Sequence, residues 1–335
     1  MRKYVCIVGI LVLAIVVIGC GKQEAVSSQH EAEISIVSEE EDILVEENFP
    51  NDVEAGNDAS DCEEIKEVEA VEEDIHEMKT QEASVEEPYE FRFVDVFGEE
   101  YETTIKVDFP KTVYEYDHFV FENGKAYYED DGYSSRQGID VSNHQGYIDW
   151  EKVKKAGIDF AIIRIGYRGY AQEGTLNIDK EFQRNIQNAQ AAGIDVGVYI
   201  FSQAICDDEA KEEAEFVIKN LEGYELQLPV VYDPESILNA KARTDDVPGE
   251  QFTKNTTIFC EMIKNAGYEP MIYSNMLWEA FEFDMEQLNE YPFWYADYEM
   301  LPQTPYAFEM WQYSNKGRVD GINGVVDLDI QFIRK

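Results

Sequence analysis

The amino-acid sequence predicts an α/β fold, a (β/α) barrel, over residues 136–335. Seven short apolar segments have the length of buried strands, and three stretches between them carry apolar residues at helical spacing. Strands and helices that alternate at intervals of about thirty residues are typical of parallel βαβ units. Closure of the strands into a barrel is the preferred architecture, and a doubly wound open sheet is the alternative.

The predicted elements follow from composition and spacing. The strands are apolar runs, placed at residues 138–142, 160–166, 196–202, 229–233, 271–274, 293–297 and 308–313. The helices are placed at residues 179–192, 207–221 and 246–266. The first and third helices run into Gly193 and Gly267, and glycine is common just after a helix end. Pro248 suits the first turn of the third helix.

The charge balance separates an acidic tail from the barrel. The 335 residues include 70 acidic and 27 basic side chains, for a net charge of −43. This balance argues against a nucleic-acid-binding protein, because phosphate recognition needs a basic surface. Residues 21–88 alone hold 24 acidic and 3 basic residues, with little aromatic content. We therefore predict that residues 20–88 form a disordered tether, which as a coil spans roughly 45 Å.

The first nineteen residues have the pattern of a secretory signal. A basic start at residues 2–3 precedes an uncharged apolar run at residues 4–18, and Gly19-Cys20 follows. This ending resembles a bacterial lipobox, which implies a signal peptide at residues 1–19 and lipid attachment at Cys20. The run is shorter than the roughly 20 residues that span a bilayer. An uncleaved anchor and another secretory signal are the alternatives, and all three place the protein outside the cytoplasm.

A small β module is predicted at residues 89–135. Tyr89, Phe91 and Phe93 alternate with polar residues, as expected for a half-buried strand. Asn123-Gly124 lies between two aromatic runs, which is a strong signal for a two-residue hairpin turn. No function for this module follows from its sequence.

Acidic residues recur at the predicted strand ends, where a parallel barrel has its active site. Asp140 lies in the first strand, Asp233 and Glu235 end the fourth, and Asp327 lies near the C-terminus. Asp233 and Glu235 are two residues apart, so their side chains share a face with Cα atoms roughly 6.6 Å apart. Two carboxyl groups so close do not easily ionise together, and one pKa should rise. A protonated acid beside a carboxylate is what glycosidic cleavage requires.

Aromatic residues near these acids suit a sugar substrate. Tyr199 lies in the third predicted strand, Trp294 in the sixth and Trp311 in the seventh. Aromatic side chains offer an apolar face and, in Tyr and Trp, a polar tip, which suits the C–H faces and hydroxyls of sugar rings.

The acids and aromatics belong to segments that together resemble glycoside hydrolase family 25, the muramidase-type lysozymes. The fourth strand contributes Val231-Tyr232-Asp233-Pro234-Glu235, and the first contributes Gly138-Ile139-Asp140-Val141-Ser142. The matching segments are modest alone and specific as a set, at residues 138–146, 148–150, 198–201, 229–235, 294–296, 311–314 and 321–329.

The resemblance implies a partly irregular, TIM-like (β/α) barrel that cleaves the β-1,4 bond between N-acetylmuramic acid and N-acetylglucosamine in peptidoglycan. It implies that Glu235 is the general acid and that Asp233 assists the N-acetyl group of the substrate. Asp140 and Asp327 complete the implied acidic site. The implied sugar contacts are Tyr199, Trp294 and Trp311.

Two positions depart from the family's pattern. Pro234 stands where the family usually has an aliphatic residue, and proline removes a backbone donor from the strand. Asp329 stands where the family often has Asn, and it competes with Asp327 as the residue that faces the cleft. We favour Asp327, because it keeps the Val-Asp-Leu spacing.

Two other functions are compatible with the same residues. One is a non-catalytic lipoprotein that binds the cell wall through a hydrolase-like barrel, although all four acids are present. The other is a metal-dependent phosphodiester hydrolase built on clustered acids. His144 is interpreted as a surface or substrate-edge residue, and we expect no cofactor and no metal requirement. The expected partners are glycan strands and, through the lipid, the membrane, and the protein is expected to be a monomer.

Overall fold

The computed structural model describes residues 88–96, 98–105, 110–237 and 240–335. The predicted signal peptide, Cys20 and nearly all of the predicted tether lie outside the described residues. The described residues all belong to one compact unit. Within the described part of the chain, no helix combines the length and the hydropathy needed to cross a membrane.

The described chain contains thirteen strands and four α-helices. The strands are β1 (Tyr89–Val94), β2 (Glu100–Ile105), β3 (Phe119–Glu122), β4 (Lys125–Tyr128), β5 (Tyr133–Val141), β6 (Phe160–Arg168), β7 (Leu176–Ile178), β8 (Asp195–Ser202), β9 (Val230–Pro234), β10 (Pro270–Asn275), β11 (Phe293–Ala296), β12 (Met310–Gly317) and β13 (Val326–Arg334). The α-helices are α1 (Trp150–Lys155), α2 (Phe182–Ala191), α3 (Asp207–Asn220) and α4 (Gly249–Asn265). A π-helical turn covers Trp278–Glu282, and short 3-10 turns cover Tyr116–His118 and Asn143–Gln145.

Eight strands close into a barrel in the order β5-β13-β12-β11-β10-β9-β8-β6, with β6 pairing back to β5. The pairing of β5 with β6 confirms closure and rules out the open sheet. Neighbouring strands are parallel except at β13, which is antiparallel to both β12 and β5. The short strand β7 pairs with β6 outside the barrel.

The alternation of strands and helices does not extend into the C-terminal third of the barrel, where the sequence predicted no helix and the family resemblance implied a partly irregular barrel. No α-helix lies between β11, β12 and β13 in the described residues. Only residues 318–325 connect β12 to β13, and a parallel crossover needs a dozen residues or more. The connection therefore turns the chain directly back, which makes β13 antiparallel. All seven predicted strands are present, whereas the eighth was missed because Asp327 and Asp329 interrupt its apolar pattern.

Side-chain alternation divides the apolar residues of the barrel into two layers. An inner cluster fills the barrel and contains Phe160, Ile162, Val231, Met271, Trp294 and Met310, among others. A larger outer cluster lies between the strands, the helices and the N-terminal hairpins. Gly138 admits the ring of Phe160 to the interior, because a Cβ at that position would lie 2.1 Å from Phe160 Cζ.

Two β-hairpins precede the barrel. Strands β3 and β4 are joined by Asn123 and Gly124, both with positive φ (53° and 78°), as the sequence predicted for this turn. Strands β1 and β2 form the other hairpin. Residues 110–135 share the outer core of the barrel: the ring of Tyr114 stacks on that of Phe332 at 3.8 Å. The domain boundary placed after residue 135 stays a prediction, and strand β5 runs through it.

Candidate active site

The four predicted acids meet in one cleft, with a volume of about 310 Å³, at the end of the barrel where the parallel strands finish. Asp140 lies near the end of β5, Asp233 near the end of β9, and Glu235 directly after β9. Because β13 runs in the opposite direction, its beginning reaches the same end, and Asp327 is the register partner of Asp140. The antiparallel strand therefore brings a fourth carboxyl group to an edge that otherwise consists of strand ends.

Asp140 is buried and is held by a hydrogen-bond network from neighbouring strands. Its Oδ2 accepts a hydrogen bond of 2.7 Å from Gln312 Nε2. The Oε1 of Gln312 accepts from Tyr273 Oη at 3.0 Å and from Tyr298 Oη at 2.8 Å. Burial raises the pKa of Asp140 well above its usual range, and the charges of Asp327 and other acids raise it further, whereas the bond from Gln312 lowers it.

Asp233 and Glu235 form the pair expected from the strand period. Asp233 is buried, with 5% of its surface exposed, and its Oδ1 has no hydrogen-bond partner in the protein. Burial and then Glu235 raise the pKa of Asp233 well above its usual range, and Arg164 opposes this rise. Glu235 is half-buried, and burial followed by the charge of Asp327 raises its pKa to about 7, against a hydrogen bond from Tyr273. At neutral pH a substantial fraction of Glu235 therefore carries a proton.

Asp327 and Asp329 occupy two successive layers of the same barrel face. Asp327 lines the cleft, and burial raises its pKa to about 6. Asp329 lies deeper and is fully buried, and its Oδ1 accepts a 2.9 Å hydrogen bond from Trp294 Nε1. Burial and the charge of Asp327 raise the pKa of Asp329 well above its usual range. Asp329 thus supports the floor of the cleft, and Asp327 is the carboxyl group on its wall.

Two of the three predicted aromatic contacts line the cleft. Tyr199 is half-buried, and its ring lies edge-on to that of Trp294 with the centroids 6.3 Å apart. Trp294 is 2% exposed, so it presents only an edge to the cleft.

The prediction that Trp311 contacts sugar needs correction. Its side chain is fully buried on the outer face of β12, where it packs edge-on against Phe119 at 5.5 Å. Its Nε1 donates to the backbone oxygen of Asp297 at 2.9 Å. The next residue, Gln312, is the one that points into the cleft, because successive strand residues face opposite sides.

Several cleft residues were not singled out from the sequence. Arg164 on β6 is paired with Asp179 at 2.8 Å and also donates to Asn143 Oδ1. Tyr273 and Gln312 lie on the inner faces of β10 and β12. Because side chains alternate along a strand, these three residues could have been predicted to face the cleft once one inward-facing position of each strand was known. Tyr298 lies in the loop after β11, where no periodic signal exists.

Pro234 does not disturb the strand that carries the acid pair. Pairing between β9 and β10 ends at Tyr232, two residues before the proline, whereas Pro234 remains opposite Ser202 of β8. The segment after it is held by Gln203, whose Nε2 donates to the backbone oxygen of Glu235 at 2.6 Å.

Potential metal ligands lie elsewhere in the described residues. Glu115, Asp117 and His118 form a three-residue group near the start of β3, and none of them lines the cleft. His144 is exposed at the rim of the cleft, which agrees with its interpretation as a substrate-edge residue.

Comparisons with known proteins decide the family. The model of glycosyl hydrolases family 25 matches residues 139–322, which is more than half of the chain. The chain belongs to this family. As a member, it is a glycoside hydrolase, and the acids at the barrel end lie within or next to the matched region.

Sequence relatives come from several bacteria. The chain is 31% identical to the uncharacterized protein YegX of Escherichia coli K12 over 202 residues, which cover 58% of this chain and 68% of the relative. It is 31% identical to lysozyme M1 of Streptomyces globisporus over 203 residues, covering 58% and 67%. It is 27% identical to the autolytic lysozyme of Clostridium acetobutylicum over 198 residues, covering 58% and 55%.

Solved structures share the fold. The modular autolysin LytC of Streptococcus pneumoniae aligns with a TM-score of 0.53 and 25% identity, over 72% of this chain and 56% of that protein. A family 25 glycosyl hydrolase of Bacillus anthracis aligns with a TM-score of 0.50 and 25% identity, over 65% and 94%. The family match begins at residue 139, so both N-terminal hairpins precede it.

Proposed function

We propose that this enzyme is a peptidoglycan hydrolase that cleaves the β-1,4 bond between N-acetylmuramic acid and N-acetylglucosamine. The observation that carries the proposal is the pair Asp233 and Glu235 in a cleft with two further acids, with the pKa of Glu235 at about 7. Relatives named lysozyme and autolytic lysozyme support the substrate class.

Glu235 is the proposed general acid. It is half-buried at the cleft, and with a pKa raised to about 7 a substantial fraction of it is protonated at neutral pH. A protonated carboxyl group can transfer its proton to the glycosidic oxygen as the bond to the anomeric carbon breaks. The resulting carboxylate can then take a proton from the water that completes hydrolysis.

Asp233 is proposed to act on the N-acetyl group of the substrate. Its buried Oδ1 lacks a partner in the protein and suits the amide N–H of that group. The acetamido oxygen then attacks the anomeric carbon while Glu235 protonates the leaving oxygen, which forms a cyclic oxazolinium ion. Water opens this ring at the anomeric carbon, gives its proton to Glu235 and restores the acetamido group. The positive charge on the ring favours ionised Asp233 during this step.

The remaining cleft residues are proposed to orient the sugar that reacts. Asp140 is fixed by Gln312, and Asp327 lies opposite it in register, so two more carboxyl groups flank the pair. Tyr199 offers part of an aromatic face, and Trp294 offers an edge. No cofactor takes part in the proposed mechanism.

Product analysis tests the proposal. The soluble protein from residue 88 onward is incubated with purified cell walls, and the released fragments are reduced with borohydride and identified by mass spectrometry. Reduced N-acetylmuramic acid at the fragment ends is the expected result, whereas reduced N-acetylglucosamine would identify a different glycosidic bond. Wall binding without any released fragment would favour the non-catalytic alternative.

A variant and a matched control test whether Glu235 is the general acid. Glu235→Gln keeps the side-chain size but cannot donate a catalytic proton, so hydrolysis should fall by roughly 10²–10⁴-fold. Glu222→Gln changes an exposed residue after α3 and should retain full activity. Activity of Glu235→Gln within a few-fold of the parent protein would assign the proton to another residue.

We also propose that the enzyme acts outside the cell while anchored through lipid on Cys20. The support is the sequence pattern of residues 1–20 alone. A long acidic tether between the anchor and the barrel lets the enzyme reach wall layers away from the membrane.

A further inference from the structure

We propose that the β3–β4 hairpin is a positioning element of the active site. Its residue Phe121 packs against Trp311 on the outer face of β12, and this contact sets the position of Gln312 against Asp140 on the inner face. The inference rests on the proposed function. It assigns a part in that function to a segment that precedes the family match, which begins at residue 139.

The hairpin covers a part of the barrel that has no helix outside it. Among the described residues, no α-helix lies between β11 and β13. The ring of Phe119 lies edge-on to that of Trp311, with the centroids 5.5 Å apart. The ring of Phe121 lies edge-on to Trp311 at 6.1 Å and to Tyr313 at 6.3 Å. The hairpin therefore takes the place of a helix over β12, where Trp311 is fully buried.

The same hairpin is bonded to β5, on the other side of β13. The Nε2 atom of Gln137, a buried residue of β5, donates a hydrogen bond of 2.6 Å to the backbone oxygen of Ala126. The backbone N–H of Tyr128 donates to Ser135 Oγ at 2.8 Å. The hairpin thus contacts both neighbours of β13, which are β12 and β5, from outside the barrel.

The strand register places these outer contacts directly behind the proposed active site. Trp311 and Gln137 are the register partners, on the two sides, of Ile330 in β13. The next residue of β12 is Gln312, which faces the interior and donates a 2.7 Å hydrogen bond to Asp140 across β13. Strands β12 and β5 are therefore joined by the hairpin on the outer face and by this hydrogen bond on the inner face.

A displacement of Trp311 must also move Gln312, because the two residues are adjacent in one strand. Protein interiors are close-packed, so neighbouring groups shift when a ring is removed from the layer that covers them. A shift of β12 changes the length and angle of the hydrogen bond to Asp140, and the strength of such a bond depends steeply on both. The hairpin therefore acts on the site through β12, without a contact to the substrate.

Phe121 is the residue at which this contact can be removed with the least damage to the core. It is 39% exposed, whereas Phe119 packs against the buried rings of Tyr128 and Phe332. Val120 lies on the opposite face of the same strand and is 48% exposed, so it provides a matched control.

The kinetic test uses the full-length chain and a soluble glycan fragment of peptidoglycan. In Phe121→Ala, kcat should fall about tenfold with KM nearly unchanged, because a small displacement of a group at an active site is costly. Phe121→Tyr, which keeps the ring, should restore kcat. Rates are compared at a temperature at which thermal unfolding shows every variant to be folded. An unchanged kcat in Phe121→Ala, or an equal fall in Val120→Ala, would overturn the proposal.

A double-mutant cycle tests whether the effect passes through Gln312. In the Gln312→Leu background the hydrogen bond to Asp140 is already absent, so Phe121→Ala should lower kcat no further. Effects of the two substitutions that multiply would show that the hairpin acts on another part of the barrel, and would overturn the proposal.

The titration of Asp140 provides a measurement that needs no hydrolysis. Burial raises the pKa of Asp140 and the charges of neighbouring acids raise it further, whereas the hydrogen bond from Gln312 lowers it. The neighbouring acids are Asp327 and Asp329 of β13 and Asp233 of β9. Arg164 of β6 and the hydroxyl-bearing residues Tyr199, Tyr273 and Tyr298 line the same cleft.

Phe121→Ala should raise the pKa of Asp140, because it weakens the hydrogen bond that lowers this pKa. The pKa is measured from the carboxyl carbon by NMR, and the resonance is assigned with Asp140→Asn. The same rise in a protein that hydrolyses nothing would overturn the proposed function and keep the positioning role. A fall in kcat with an unchanged pKa of Asp140 would overturn the positioning role.

Discussion

The side-chain amide of Gln312 donates a 2.7 Å hydrogen bond to Asp140, although 172 positions separate the two residues in sequence. The bond passes over β13, which lies between β12 and β5 in the barrel. Two tyrosine hydroxyl groups, from Tyr273 and Tyr298, donate to the other end of the amide. These two hydrogen bonds hold the Oε1 atom of Gln312 on the side of the tyrosines, so its Nε2 faces Asp140. The buried carboxyl group of Asp140 therefore has a hydrogen-bond donor.

Replacement of Gln312 by Leu should impair catalysis through Asp140. Without the donor, the pKa of Asp140 rises further, because the bond from Gln312 opposes the effect of burial. A hydrogen bond to a charged group contributes about 1.5–3 kcal/mol, so kcat/KM should fall by roughly 10–100-fold, and the pH profile should shift. Gln287→Leu, at an exposed position, is the control. An unchanged pH profile with nearly full activity would remove Gln312 from the positioning network.

The pH dependence of hydrolysis should report the proton on Glu235. The group is active when protonated, and its pKa is raised to about 7. The value of kcat/KM should therefore fall as the pH rises through about 7, since this parameter reports the free enzyme. The measurement is the initial rate at low substrate concentration between pH 5 and 9, with ionic strength held constant. Constant activity up to pH 9 would contradict the assignment.

The reaction should retain the anomeric configuration without a covalent sugar–enzyme intermediate. Asp233 near the end of β9 and Glu235 directly after this strand line the same cleft two residues apart, so they do not flank the sugar ring as an inverting pair does. The substrate's own N-acetyl oxygen supplies the attack from the other face. Proton NMR during the first turnovers should show the β-anomer as the initial product.

Two results would count against this stereochemical prediction. The α-anomer as first product would indicate inversion. A fluorinated substrate that leaves a sugar adduct on Asp233 or Asp140, detected by mass spectrometry, would indicate a covalent nucleophile.

Lipid attachment at Cys20 should govern where the enzyme resides. Cys20→Ala should move the protein from the detergent phase to the aqueous phase, because lipidation supplies the apolar chains. Cys62→Ala, in the predicted tether, is the control and should partition like the parent protein. If the Cys20 variant stays in the membrane with its first nineteen residues intact, the segment is an uncleaved anchor.

Much of the barrel could be predicted from local sequence. Each of the seven predicted strands is an apolar run between turn residues, and each is present in the structure. The pairing of Asp233 with Glu235 on one side of the chain follows from the strand period alone. Strand β13 was not predicted, because its carboxyl groups, above all the fully buried Asp329, interrupt the apolar pattern by which a strand is recognised.

The sequence by itself determined the strands, the hairpin turn at Asn123-Gly124 and the acids at strand ends, because these depend on neighbours along the chain. Only the tertiary structure decided which face of each strand is inside. Trp311 and Gln312 are adjacent, and local pattern favours the tryptophan as the sugar contact. Phe119 and Phe121 cover the outer face of β12, which buries Trp311 there and turns Gln312 toward Asp140. The pairing of strands that are distant in sequence therefore determines which of the two residues faces the cleft. The local sequence of β12 does not determine this.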